Sequence, residues 1–473
     1  MKRIRIIPVL TAVLAVTLLL PEDLQAQGHY SPASLGMAGA RGTLLKDIDA
    51  ALVNPALLAL PGRKAFSVRL FGVSSQVDQN FMSIGRWNDL QGELLTDSDK
   101  DRILDAMPSG GMVDGLVEVG SLGIQVGSWA FSSHTFLDLN ATVPRDLFSI
   151  ALRGTQVDRT YQMSETALEF ESVTMLSLTH SFELPIRDAQ IPLLRLPLRQ
   201  LYGGVSLKYY MGHGYARMEE GRAELFMGLD GYYGTADFLY RTAGIPGGEI
   251  DDDNEDPRVL ADTDYSSSPG AGFGFDVGVA GVISDNLSFH GALLNLSPGI
   301  KWSKSTYQTR ITARADTLSI AGFLDIDFDE WKELGLMLED EEDVEAYLDS
   351  LTSHDISFER RGSFRTMLPL ILRVGGTYRW RRVALNAELE QALTRALGYN
   401  LVPRLALGFE FRPIGMFPIR AGLSMGGRLG LVGGFGLGLD LKALVWDISI
   451  SNTGLTPGGF RGLGVATGLK ISF

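Results

Sequence analysis

The sequence predicts an all-β protein: a transmembrane antiparallel β-barrel of about fourteen strands, preceded by an N-terminal segment that plugs it. Three observations lead there. Strict alternation of apolar and polar residues recurs through the C-terminal third, with short Gly, Pro or Arg breaks between segments. These segments run roughly 10 to 13 residues, near the ~9–11 that cross a bilayer on a tilt. Their polar face carries full charges of both signs, which suits a wet interior. A soluble sandwich alternates too, so the pattern alone does not decide. Length and charge do.

Met1 to Ala26 reads as a secretory signal, with Lys2, Arg3 and Arg5 ahead of an apolar core from Ile6 to Leu20 and a small-residue cleavage site at Leu24-Gln25-Ala26. Pro8 and the shortness of that core argue against a permanent anchor helix. The net charge is −14. An acidic chain lacks the basic face that nucleic acid requires, so none is expected as a partner. With no cysteine there is no lipid-anchor Cys, disulfide framework, thiol nucleophile or Cys-based zinc site. Glycine is abundant, 55 of 473 residues, without a collagen period; large barrels use it where strands bend or pack closely.

Residues 27–63 form the second unit. Small residues crowd its start, at Ala33, Gly36, Ala38, Gly39, Ala40 and Gly42. Asp47 and Asp49 follow, then Asn54-Pro55-Ala56 within the run LVNPALLAL (Leu52 to Leu60). Small residues let backbone lie close to a wall. Asn54 can cap a turn, and Pro55 has its φ preset for a first helical position. We expect a compact plug across the mouth of the barrel that occupies residues 64–473.

The stretch SLGMAGARGTLLKDIDAALVNPALLALPGRKAFSVRL (Ser34 to Leu70) resembles the mature N-terminus of the long-chain fatty-acid outer-membrane transporter family, the FadL-like barrels. Related barrels of the PorV type, which shuttle exported proteins, share this opening. The resemblance implies an outer-membrane location and a hatch formed by Asp47, Asp49, Asn54, Pro55 and Ala56, which blocks the barrel and moves on binding; the alternative is a static plug that only seals the barrel. It also implies passive transport of a hydrophobic or amphipathic small molecule.

Strands are expected near 64–78, 116–126, 129–141, 165–183, 201–216, 269–283, 287–302, 366–380, 383–396, 402–412, 417–426, 431–442, 444–453 and 461–473. Long connections then fall on one side and short turns on the other, as in bacterial barrels. The 184–200 connection departs from this and calls for a hairpin or helix on the short-turn side. Two long connections, near 217–268 and 303–365, are acidic. One contains DDDNEDP (Asp251 to Pro257), which lacks the ligand spacing of a calcium loop. The other holds the acid-rich run Asp325 to Asp349, where Val344, Tyr347, Leu348 and Leu351 have helical spacing. The last strand keeps Leu469, Ile471 and Phe473 on its outward face, like the C-terminal signal read by the barrel-assembly machinery.

The inward charges are Arg373, Arg379, Glu388, Glu390, Glu410, Arg412, Arg420, Asp440, Lys442 and Asp447. They read as a network paired across the ladder, a selectivity lining, or a docking site for the Asn54 segment. Outward Tyr378, Trp380, Trp446 and Phe473 suit interfacial girdles in contact with outer-membrane lipid. No enzyme signature is present: no histidine has a His partner two to four residues on. The glycines of Gly270 to Gly274 sit in continuing alternation, not between a strand and a helix as a nucleotide loop requires. Neither cofactor nor metal is expected. The alternative to transport is a scaffold barrel that docks a secreted protein or secretion complex, motivated by the acidic outer loops.

Overall fold

The computed structural model describes residues 31–473 except 93, 109, 165, 192–195, 229–231, 245–267, 319–352, 361, 397–398, 428 and 456–458. The expected signal (Met1 to Ala26) and both acidic runs (Asp251 to Pro257, Asp325 to Asp349) lie outside the described residues.

Fourteen strands form one closed ring. The first seven are β1 (Phe66–Gln79), β2 (Gly111–Val126), β3 (Trp129–Val143), β4 (Ala167–Ile191), β5 (Leu196–Met227), β6 (Gly270–Val282) and β7 (Leu287–Leu296). The second seven are β8 (Ile371–Trp380), β9 (Val383–Ala392), β10 (Arg404–Phe411), β11 (Ile419–Gly426), β12 (Val432–Asp440), β13 (Leu444–Thr453) and β14 (Gly462–Ser472). Each pairs antiparallel with its neighbours in sequence order. β14 pairs back onto β1, and Phe66 and Phe473 exchange two backbone hydrogen bonds of 2.9 Å where the ends meet. Closure leaves the ring without an edge, so its backbone donors and acceptors are satisfied internally.

The side chains are inverted relative to a soluble protein. Phe273 and Phe275 are 68% and 48% exposed, whereas Asp276 is 0% exposed. Val374, Leu385, Phe409, Leu437 and Ile448 face outward, while Arg373, Glu388, Glu410 and Asp447 are buried inside. An apolar exterior of this extent needs a non-aqueous surrounding. No described helix is long and apolar enough to cross a membrane.

Turns at 127–128, 283–286, 381–382 and 441–443 share one end with the chain's Phe66 and Phe473. The connections at the other end are mostly longer. β4 and β5 run on past the ring at the short-turn end as a two-stranded hairpin paired as far as Ile191 and Leu196, which is how the 184–200 connection is accommodated. At the opposite end β5 continues beyond the ring and pairs with Tyr232–Ala243. That strand pairs with Thr306–Leu318, which pairs with Ser353–Arg360, so a sheet stands off the barrel. The expected 287–302 strand is interrupted: β7 stops at Leu296, and Ile300–Trp302 resumes between Gly270–Gly272 and Phe364–Thr366. Pro298, which has no N–H for a ladder, lies in the gap.

Candidate functional site

Residues 31–60 run inside the ring, and nearly all are buried. The segment is a chain of single turns, the first and last started by a side-chain cap. Ser31 Oγ accepts from Ser34 N (3.2 Å) ahead of Pro32–Leu35. Asn54 Oδ1 accepts from Ala56 N (2.9 Å) ahead of Pro55–Ala59. Between them lie Gly42–Leu44 and Ala50–Val53. No turn repeats, so the segment packs through its backbone as much as its side chains.

Glycines make that possible. A Cβ on Gly422 would lie 2.1 Å from Met37 C, one on Gly434 2.4 Å from Leu35 O, and one on Gly408 2.5 Å from Ala40 O. These glycines stand beside one another on β10, β11 and β12. On the far wall, a Cβ on Gly278 would meet Asn54 Oδ1 at 1.9 Å and one on Gly204 would meet Ala56 N at 2.3 Å. Asn54 Nδ2 donates to Val279 O (3.0 Å) and Gly291 O (2.9 Å), so one side chain ties the segment to both β6 and β7.

From β8 to β14 and β1, the wall offers charge. Lys470 Nζ pairs with Asp47 (2.6 Å) and Asp49 (2.8 Å), and Arg69 pairs with Asp49 (2.7 Å). Burial pushes the Asp49 carboxyl up, but Lys470 and Arg69 outweigh it and hold the pKa below the usual carboxylate range. Glu388 accepts the Gly42 N–H (3.1 Å) and pairs with Arg373 (3.2 Å), which also bonds Glu390 (2.9 Å). Arg404 joins Glu390 (3.3 Å) to Ala38 O (3.3 Å). Arg420 bridges Glu410 (2.8 Å) and Asp447 (2.6 Å), and the buried Arg41 of the plug lies in the field of all three. At the short-turn end Arg379 Nη2 donates to Thr43 O (2.6 Å). There, burial and the nearby Arg379 pull Lys46 down to about 8.

From β3 to β7 the wall carries two apolar clusters among buried polar groups, which include His134, Asp138, Glu171 and the Lys208–Asp276 pair (2.8 Å). One cluster joins Ile48, Val53, Leu57, Leu58 and Leu60 of the plug to Ala130, Tyr202 and Ala280. A second sets Leu52 among Val173, Met175, Tyr210, Tyr215, Ile300 and Trp302, with Phe136 and Phe364 against it. Leu52 is thus the plug residue that meets the aromatic cluster, and its neighbours in sequence belong to the cluster below.

The residues singled out in the sequence fall as follows. Asp47, Asp49, Asn54, Pro55 and Ala56 are all buried inside the ring. Arg373, Glu388, Glu390, Glu410, Arg420 and Asp447 line it, buried. Arg379, Arg412 and Asp440 are half-buried at its short-turn rim, where Arg412 pairs with Glu410 (2.8 Å) and Asp440 (3.4 Å). Lys442 is a correction. It does not face inward, because β12 ends at Asp440 and Lys442 takes a left-handed turn (φ +69°) that leaves its side chain exposed. Leu469 and Ile471 lie on the outer face of β14, and Phe473 is exposed at its end. Sequence reasoning missed Arg69, Lys470 and Arg404, which hold the plug. Their signal was parity, since each sits at an inward position between outward apolar residues.

Among the described residues no group of three His, Cys, Asp or Glu is placed to hold a metal ion. His290 lies 3.9 Å from Glu388, His134 3.8 Å from Glu118, and His213 bonds Thr174 at 2.7 Å. His180 stacks on Trp129 with centroids 4.1 Å apart.

The fold is the FadL-like barrel. The Pseudomonas putida toluene transporter TodX superposes with a TM-score of 0.50 at 11% identity, covering 95% of this chain and 99% of that one. The Ralstonia pickettii toluene transporter TbuX gives 0.48 at 11% identity, with 94% and 98% covered. A FadL homologue from Pseudomonas aeruginosa gives 0.46 at 14% identity, with 95% and 99% covered. Identity this low establishes shared architecture and nothing finer. No curated protein matches the sequence. A family model does, over residues 55–446, and by that match the chain belongs to the family of unknown function DUF5723.

Proposed function

We propose that this chain is an outer-membrane channel for a hydrophobic or amphipathic small molecule, gated by residues 31–60. The observation that carries the reading is the division of the interior. Two apolar clusters follow β3 to β7, one around Trp302 and Leu52 and one around Tyr202, on a wall that also buries the Lys208–Asp276 pair, beside a more heavily charged half that follows β8 to β1. A small apolar solute partitions into these clusters and is excluded from the charged groups. TodX and TbuX are named as toluene transporters, which makes toluene a suitable first probe. By the usual arrangement of bacterial barrels, the short-turn end faces the periplasm.

Release takes one of two routes, past a shifted hatch or through the wall. The wall is irregular where β1 slips against β14 between Arg69 and Phe71 and β2 slips against β3 between Val119 and Leu122. A cavity of about 20 Å³ there reaches from Asp49 and Lys470 inside to Phe71 and Leu469 outside; that is room for one water.

The test is toluene entry into proteoliposomes with the full chain and with residues 31–60 deleted. Deletion raises the rate if the hatch gates. An unchanged rate, with the barrel folded, removes the gating. The second reading, a scaffold for a secreted protein, draws on the sheet that stands off the long-connection end. It requires that excising residues 325–349 abolishes a protein complex, and a complex that survives the excision counts against it.

A further inference from the structure

The short-turn rim is basic in a chain of net charge −14. Arg63 and Lys64 follow the hatch, Arg379, Arg381 and Arg382 surround the β8–β9 turn, and Lys442 sits in the β12–β13 turn. Among the described residues none of these six pairs with a carboxylate. Arg63 donates to Ala59 O (3.5 Å), Lys64 to Ser472 O (3.4 Å), Arg379 to Thr43 O (2.6 Å) and Arg382 to Pro413 O (2.6 Å). The Arg381 guanidinium lies 5.6 Å over the Trp380 ring. Apart from Arg379, whose guanidinium turns inward to the hatch, their charge is not cancelled locally, unlike that of Arg420 or Lys470 inside.

Aromatic side chains locate the collar relative to a bilayer. Trp380, Trp446 and Phe473 are exposed on the outer wall at this same end, and Phe66 lies 5.1 Å from Phe473. Indole and phenyl rings at the end of an apolar wall sit at headgroup level. The β8–β9 turn follows Trp380 directly and the β12–β13 turn lies two residues ahead of Trp446, which puts Arg381, Arg382 and Lys442 beside the phosphates of the nearest leaflet. Arg381 over Trp380 joins the two features in one contact.

We infer that this collar is a binding surface for anionic phospholipid headgroups of the periplasmic leaflet. The inference rests on the membrane-spanning reading above. Guanidinium groups bind phosphate oxygens through paired, charge-assisted hydrogen bonds, and the attraction acts within a Debye length of about 8 Å. Each basic residue at an anionic surface is worth about fivefold in partitioning. Because Arg379 also holds Thr43 of the hatch, lipid on this collar touches the element proposed to move.

The test uses the full chain in nanodiscs of phosphatidylethanolamine with a minor fraction of phosphatidylglycerol. Native mass spectrometry reads the ratio of the two lipids retained. The wild type enriches phosphatidylglycerol severalfold over its share of the bilayer. Arg381→Ala, Arg382→Ala and Lys442→Ala together lower that enrichment to near its share of the bilayer, and raised salt weakens it in the wild type. Arg381→Lys with Arg382→Lys keeps most of it. A folded, inserted wild type without enrichment overturns the inference alone, as does full enrichment in the triple Ala variant. A chain that does not insert into bilayers at all overturns the membrane reading together with it. An acidic soluble protein held at one-to-one stoichiometry by the wild type and not by the triple variant, with no lipid preference, replaces lipid by protein as the partner.

Discussion

Asn54 makes three hydrogen bonds at once, accepting one from Ala56 N and donating two, to Val279 O and Gly291 O. Aspartate keeps the cap and loses both donors; alanine loses everything. A cap is worth about 1 kcal/mol and each neutral hydrogen bond about as much. Asn54→Ala is therefore expected to weaken docking of the plug by about 2–3 kcal/mol, read as roughly 30- to 150-fold faster amide exchange over residues 50–60 with exchange of β8 to β14 unchanged. Unchanged exchange over 50–60 rules out the clasp. Charges at this scale set a pH dependence. Asp49 is held below its ordinary pKa, so its contribution is present above about pH 4 and fades as acid reaches the lowered value. Lys46 runs the other way. Docked, it titrates at about 8 against an ordinary value of 10.5. Between those values the undocked segment binds the extra proton, so docking tightens as pH rises through that window. Exchange protection of residues 31–60, corrected for intrinsic rate, should rise there in the wild type and stay flat in Lys46→Met. Coincident profiles refute the assignment.

At the scale of elements, the hatch lies flat because β10, β11 and β12 each present a glycine to it. Gly422 is the most confined, with a Cβ position 2.1 Å from Met37 C. Backbone cannot yield as a flexible side chain can, so Gly422→Val should displace residues 35–40 while the ring, whose hydrogen bonds are untouched, still closes. Protease cutting within residues 31–49 of a heat-modifiable, folded barrel is the expected readout, and resistance equal to wild type contradicts it. This seat was invisible in the sequence for a physical reason. Glycine has no side chain to mark a face, so Gly408, Gly422 and Gly434 read as small residues within their strands and say nothing of what lies on them. The strands themselves were legible, because an apolar surrounding and a polar interior force strict alternation; β13 starts at Leu444 and ends at Thr453 as the pattern requires. Alternation misleads only past a strand's end, as at Lys442. The helix Asp97–Asp105 shows a capping box at Thr96 and Asp99, a signal present in the sequence that period-2 reading passes over. The sheet beyond the ring was hidden because β5 carries on for 32 residues and changes partners without a break.

For the whole molecule, the division of the lumen implies that the hatch is not one rigid stopper. Ion pairs and glycine contacts bind residues 31–49 to the charged half, and withdrawing a single partner from a buried pair such as Lys470–Asp49 costs about 3–5 kcal/mol. Residues 50–60 meet the other half through apolar contacts and the Asn54 clasp, an interface that can reseal around an apolar solute. Under the proposed channel function, conduction needs residues 50–60 to shift and the charged half to stay. The chain has no cysteine, so two introduced thiols can only find each other. Thr43 and Ser288 oxygens lie 2.8 Å apart, close enough that cysteines at both positions can bond. That bond fixes the 31–49 portion to β7 and should leave toluene entry near the wild-type rate. A second variant, Ala56→Cys with Ala280→Cys, uses two small residues of one buried cluster, and ties the 50–60 portion to β6. Its oxidised form should conduct several-fold less than its reduced form in the same proteoliposomes. Equal inhibition by both bonds means that the hatch moves as one body, and inhibition by neither means that the solute passes without moving it.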